Sequence, residues 1–198
     1  MIVSFTFGAP SLSTNVPPPK PVYQSRAGAI VLTPTPSATP SPKPTNTSSG
    51  SSSSCPPVAG QEDTTTEAWL LNAVNQARAN AGLAALTIDP LIHGEALIHS
   101  GAMTCYGMSH YVPPGTTPET RMKAAGVKYT WAGENIGWSG RGTSMDKIMW
   151  LFNTMMAEQP PNDGHRKNFL SPHFTRTGIG IYVEKVSGRL WLTEDFAG

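Results

Sequence analysis

The chain has no acidic residue before Glu62, only two cysteines, and no apolar run long enough to cross a bilayer. Each scarcity excludes something. Two cysteines, Cys55 and Cys105, rule out a four-cysteine zinc site and leave a choice between one bridge and two free thiols. In an oxidising compartment they can pair and pin the chain between them. Without a long apolar run there is no transmembrane segment to expect. Residues 1–13 have neither a basic start nor a continuous hydrophobic stretch, and Ala27 to Leu32 is too short for one. The expectation is that the true start lies elsewhere, or that export uses another route.

The scarcity of charge is local. Of residues 1–60, 35 are Pro, Ser, Thr or Gly, and the only charges are Lys20, Arg26 and Lys43. So little apolar surface cannot offset the entropy of ordering, so residues 1–60 are expected to be a disordered stalk or linker. Its composition is that of wall-spanning linkers in secreted bacterial proteins, which predicts an extracellular or cell-wall-associated protein. Asn46-Thr47-Ser48 is a sequon with meaning only in a eukaryotic secretory pathway. After position 60 there are 11 basic and 13 acidic residues. A near-neutral domain with no basic stripe excludes nucleic acid as a partner.

Familiar nucleophile and nucleotide motifs are missing too. Gly137-Trp138-Ser139-Gly140-Arg141 ends in arginine where the strand-to-helix nucleophile elbow needs glycine. Gly140-Arg141-Gly142 lacks the third glycine of a dinucleotide loop. Cys105 precedes His110 by five residues, but nothing around it marks an activated thiolate.

What is present reads as helices followed by a hairpin. Thr64-Thr65-Thr66-Glu67 is a capping-box pattern, and Leu70, Leu71, Val74, Ala77 and Ala81 follow at helical spacing until Gly82. A short extended piece runs from Leu83 to Ile88. Asp89-Pro90 starts a second helix to about Met103, with Cys105 to Tyr111 expected as loop. Its His93 and His99 lie six residues apart, on different faces, so each reads as structural or solvent-facing. Thr117-Pro118-Glu119 opens a third helix to Ala125, and Thr143-Ser144-Met145-Asp146 a fourth, ended by Pro160. Residues 127–139 fit a strand or a turn. Gly178 to Lys185 alternates, Ser187-Gly188 turns, and Leu190 to Phe196 returns: an antiparallel hairpin whose Gly178 and Gly180 admit a close neighbour.

Three side chains stand out in polar or glycine-rich segments between elements: His110, Glu134 and His165. Two imidazoles and a carboxylate make a familiar zinc shell with a position left for water or substrate. The competing reading has Glu134 and Asn135 satisfying loop backbone, with the histidines hydrogen-bonded nearby.

From about 64 to 198 the chain resembles a bacterial CAP-superfamily domain (sperm-coating protein, antigen 5, pathogenesis-related 1). The residues that carry the resemblance are Leu71-Asn72-Ala73-Val74-Asn75-Gln76-Ala77-Arg78, Met108-Ser109-His110, Gly133-Glu134-Asn135-Ile136, Gly164-His165-Arg166-Lys167-Asn168-Phe169-Leu170, and Phe174-Thr175 with Gly178-Ile179-Gly180. The resemblance implies an α+β fold, a three-layer α-β-α sandwich with an open cleft where His110, Glu134 and His165 meet. The family's fourth cleft position, usually glutamate, falls at Asn153, with Glu158 nearby; an amide there weakens a two-carboxylate mechanism. His173 falls where bacterial members often carry asparagine and reads as supporting or surface. The implied function is a secreted, monomeric, non-enzymatic binding module. It would hold a divalent metal, zinc by donor type, at His110 and His165, with Glu134, Asn135, Asn153 and Glu158 lining the cleft and a lipid, cell-wall or protein ligand. The alternatives are a metal-assisted, peptidase-like hydrolase with Glu134 as general base, and a structural or adhesion domain with a vestigial site.

Overall fold

The computed structural model describes residues 30–32 and 55–198, with side chains for 55–198. The rest of the expected stalk lies outside the described residues. The elements in chain order are β1 (Ile30–Leu32), β2 (Gly60–Glu62), α1 (Thr64–Asn80), β3 (Thr87–Ile88), α2 (Pro90–Tyr106), α3 (Pro118–Ala124), β4 (Ala132–Ser139), α4 (Ser144–Met156), α5 (Gly164–Phe169), β5 (Arg176–Glu184) and β6 (Leu190–Ala197). The strands form one sheet in the order β1-β4-β6-β5-β2, antiparallel along that path, while β3 pairs with β5 in parallel.

Helices cover both faces. α2 lies across β5 and β6 with α3 beside it, and α1, α4 and α5 cover the other face. This is the α+β, three-layer arrangement expected. The hairpin appears as read, with β5 and β6 paired from Arg176↔Ala197 to Val183↔Leu190. Its glycines are required by α2. A Cβ on Gly178 would lie 2.2 Å from the His93 nitrogen, and one on Gly180 2.2 Å from that of Leu97. No side chain fits between this strand and this helix.

The larger core fills the α1/α4/α5 side. Leu70, Val74, Ile148, Phe169, Phe174, Ile179, Ile181, Leu192 and Phe196 are buried there. Each such side chain contributes about 1.5–3 kcal/mol by leaving water. Arg78 is buried among them because its guanidinium is used up by main-chain carbonyls. It donates to Ala84 at 2.8 Å, Phe169 and Ser171 at 2.9 Å, and Phe174 at 3.1 Å. One side chain thereby fixes the end of α1 to the segment that carries α5.

Several local expectations shift. Asp63, not Thr64, caps α1, accepting from the Thr66 N–H at 3.1 Å. Glu67 does not close a capping box; it accepts the Ile181 N–H of β5 at 2.8 Å. The folded unit also reaches back before residue 64: Gly60–Glu62 pairs with Tyr182–Glu184 of β5, and the Val58 N–H donates to Thr104. α2 runs to Tyr106, so Cys105 sits in its last turn, where it is disulfide-bonded to Cys55 with the Cα atoms 6.0 Å apart. Closing a loop across that separation contributes about 4 kcal/mol on the chain-entropy account. Residues 164–169, between the two prolines and the strand, are a short helix rather than open loop. The Lys167 N–H reaches the Asp163 carbonyl, and its ammonium pairs with the Asp163 carboxylate at 2.8 Å. Pro160 does not end α4, which stops at Met156.

Candidate functional site

Glu134 and Asn135 are consecutive on β4, so their side chains leave opposite faces of the sheet. Both are fully buried. Glu134 faces the α2 layer. Its Oε1 accepts from His110 Nδ1 at 2.5 Å, and its Oε2 accepts from the Arg121 guanidinium on α3. Arg121 is itself over-determined: Nε donates to Glu95 at 2.6 Å and a terminal nitrogen to the His110 carbonyl at 2.7 Å. Glu134, foremost among its carboxylate neighbours, keeps the guanidinium's proton affinity above the usual arginine value against the opposing effect of burial. One arginine therefore positions both the ring of His110, through Glu134, and its main chain.

His99 lies behind this cluster and stays neutral. Burial, reinforced by the positive charge of Arg121, pulls its pKa down to about 2. Its Nε2 donates to the Ser109 carbonyl at 3.1 Å, and its Nδ1 lies 3.0 Å from the Thr193 hydroxyl. Its 3.4 Å approach to Glu134 is consequently not an ion pair. Through Ser109, His99 braces the loop that presents His110.

On the other face, Asn135 donates to the His165 carbonyl at 3.2 Å, and Asn168 donates to Asn135 at 2.9 Å. Glu158, two residues past the end of α4, holds His165 twice. One oxygen accepts the His165 N–H at 3.0 Å, and the other accepts ring Nδ1 at 2.5 Å. The strand β1 pairs along the outer edge of β4, with Ile30 opposite Glu134.

The two histidines thus share one local design from opposite faces of β4: the His110 ring is held by Glu134, and the His165 ring by Glu158, with the His165 main chain on Asn135. In each, a carboxylate takes Nδ1, which fixes the tautomer and leaves Nε2 as the free position. In each, Nε2 is buried and has no hydrogen-bond partner among the described residues. Buried polar atoms are ordinarily satisfied, so a matching pair of orphans calls for an occupant. Imidazole nitrogens with carboxylates behind them are donors of the kind a divalent ion of the zinc type takes. By donor type alone, these residues suit that group.

Each imidazole has its own carboxylate, in place of one glutamate shared between two rings. Asn153 lies exposed on α4, and Glu158 is the residue that meets His165. His173 is on the surface, stacked on Trp131 at 4.2 Å between ring centroids. Sequence reasoning missed Arg121 and Asn168. The signal for Arg121 was an arginine at helical spacing with Pro118 and Met122, all three of them buried on α3. Asn168 lies inside a motif that stands out in the sequence for its histidine.

Comparison with known proteins gives concordant matches. Residues 71–196 match the family model described as CAP, the cysteine-rich secretory protein family. The uncharacterized protein YkwD of Bacillus subtilis (strain 168) is 33% identical over 153 residues, covering 72% of this chain and 54% of that protein. The chain thus spans about half the length of that relative. Among solved structures, an extracellular protein containing an SCP domain from Bacillus anthracis superposes with a TM-score of 0.57 at 24% identity, over 68% of this chain and 41% of that one. An outer surface protein of Borrelia burgdorferi gives 0.59 at 15% identity, over 70% of this chain and 98% of its own.

Proposed function

Because the chain belongs to the cysteine-rich secretory protein (CAP) family, we propose that it is an extracellular binding module whose cleft holds a divalent ion, zinc by donor type, at Nε2 of His110 and His165. The observation that carries this reading is the matched pair of buried, unpartnered Nε2 atoms, each with a carboxylate on its Nδ1. The ion would supply a Lewis-acidic centre; the chain's own part is to orient two rings and keep them in the metal-binding tautomer. A cell-wall, lipid or protein ligand would occupy the positions the protein leaves open. The Cys55–Cys105 bridge suits an oxidising compartment, and the structural relatives include an extracellular and an outer-surface protein. In this reading residues 1–60 act largely as a spacer.

A hydrolase would need Glu134 to take a proton from water. Both of its oxygens are already engaged, one by His110 and one by Arg121. The geometry therefore favours binding over general-base chemistry.

The test is the zinc content and melting temperature of the purified chain, with and without His110→Ala and His165→Ala together. The native chain should bind zinc at these residues and melt higher in its presence at pH 7.5. At 100 times the dissociation constant the gain is about 2.7 kcal/mol. The effect should shrink near pH 5, where protons compete for the imidazoles. A double variant that takes up as much zinc as the native chain overturns the reading.

A further inference from the structure

The opposite edge of the sheet carries a second group of metal-ligating side chains, remote in the fold from the paired histidines. Glu62 ends β2, Glu67 lies in the first turn of α1, and His93 lies in the first turn of α2. Each offers one ligand atom, and the three atoms lie within 4.8 Å of one another. His93 Nε2 is 3.3 Å from a Glu62 oxygen.

All three are hung on one strand. Glu62 pairs with Tyr182 of β5. Glu67 accepts the Ile181 N–H at 2.8 Å. His93 Nδ1 lies 2.7 Å from the Ile179 carbonyl. A carbonyl only accepts, so Nδ1 carries the proton and Nε2 is the position turned toward the carboxylates. A main-chain carbonyl on the far nitrogen is the usual support behind a metal-bound histidine. The Asp63 N–H, which donates to the Ile181 carbonyl at 3.0 Å, locks the corner between Glu62 and Glu67 onto the same strand.

The arrangement is short of positive charge. Two carboxylates and an imidazole Nε2 converge, and Glu67 is buried while the Glu62 and His93 side chains are about one-third exposed. Acceptor atoms brought this close need a proton or a cation between them. A divalent ion satisfies all three at once, and the exposed side gives it entry and room for water. One nitrogen with two carboxylate oxygens is a donor set that zinc accepts.

We propose that Glu62, Glu67 and His93 form a second divalent-metal site, independent of the cleft histidines, that takes zinc through His93 Nε2 and one oxygen from each carboxylate. Its location gives it a structural consequence. The disulfide already fastens Cys55 to the last turn of α2, and an ion here would fasten Glu62 to the first turn of the same helix. The segment leading into the domain would then be clamped at both ends of α2.

The experiment measures zinc stoichiometry and affinity by titration with zinc chloride, using the full chain carrying His110→Ala and His165→Ala so that the cleft is silent. That chain should still bind one zinc. Adding Glu62→Gln and Glu67→Gln should weaken the remaining binding at least tenfold; the amide at position 67 keeps an oxygen for the Ile181 N–H, so the corner stays bonded. No zinc uptake by the cleft variant, or unchanged affinity after the two glutamate substitutions, overturns the proposal. Should the cleft variant fail to fold, the two glutamate substitutions in the otherwise native chain decide it: loss of one zinc equivalent supports the site, and unchanged stoichiometry overturns it. A native chain whose zinc ignores His110 and His165 but depends on Glu62 and Glu67 would refute the cleft reading and support this one.

Discussion

Glu158 holds His165 at two points, taking ring Nδ1 with one carboxylate oxygen and the main-chain N–H seven residues ahead in sequence with the other. This double grip sets both the ring's tautomer and its direction, because the ring cannot turn without leaving the carboxylate. Asn153, one turn earlier on α4, is exposed.

Glu158→Ala should therefore weaken zinc binding at the cleft by about 10- to 100-fold, the usual cost of losing the group behind a metal-bound histidine. Asn153→Ala should leave it unchanged. Calorimetric titration with zinc, carried out with Glu62→Gln and Glu67→Gln in place to isolate the cleft, checks both. Equal losses from the two substitutions would show that the helix end, and not the carboxylate, orients the ring.

Much of the fold was legible because its signals are local. Thr143 with Asp146 closes a capping box in the structure just as the residue spacing suggests, and Asp89 caps the helix that Pro90 begins. Gly178 and Gly180 announced a close approach whose partner, α2, only the fold identifies. The site was less legible, for a reason visible in Glu67. Its position beside Thr64 reads as a capping box, yet the carboxylate spans 114 residues to the Ile181 N–H. Long-range bonds leave no trace in spacing. Arg121 shows the same limit: nothing adjacent to it in sequence indicates that it faces Glu95 and Glu134 together. The histidines were found by their motifs, and their carboxylates were separable only in three dimensions.

Arg121 is the next point of test. It is almost completely buried with Glu95 and Glu134, so its removal leaves carboxylates without their counter-charge. Arg121→Met, which keeps the length of the side chain without its charge, should destabilise the domain by about 3–5 kcal/mol. It should also loosen the His110 loop, whose carbonyl the guanidinium holds. Urea denaturation measures the first effect. A loss below about 1 kcal/mol would show that the guanidinium is not what holds this cluster together.

Glu194 on β6 supplies a pH signature. It is fully buried on the α1/α4/α5 side, and burial pushes its pKa up to about 8, with Thr177 and Arg78 pulling only partly the other way. In the unfolded chain the same carboxyl titrates near 4.5. Between these values the folded state keeps a proton that the unfolded state gives up, so this group's contribution is whole below about pH 4.5 and is lost as pH rises toward 8. The slope is at most about 1.4 kcal/mol per pH unit. Glu67, raised to about 7 chiefly by burial, acts in the same direction, whereas His99, lowered to about 2, opposes both as pH falls below 6.5. The difference between the native chain and Glu194→Gln removes these shared effects, because the amide matches the protonated carboxyl in shape and cannot ionise. The variant should gain stability over the native chain steadily from pH 5 to pH 8 in urea titrations at fixed temperature. A difference that stays flat across that range would show that Glu194 is ionised in the folded core, with Arg78 as its counter-charge.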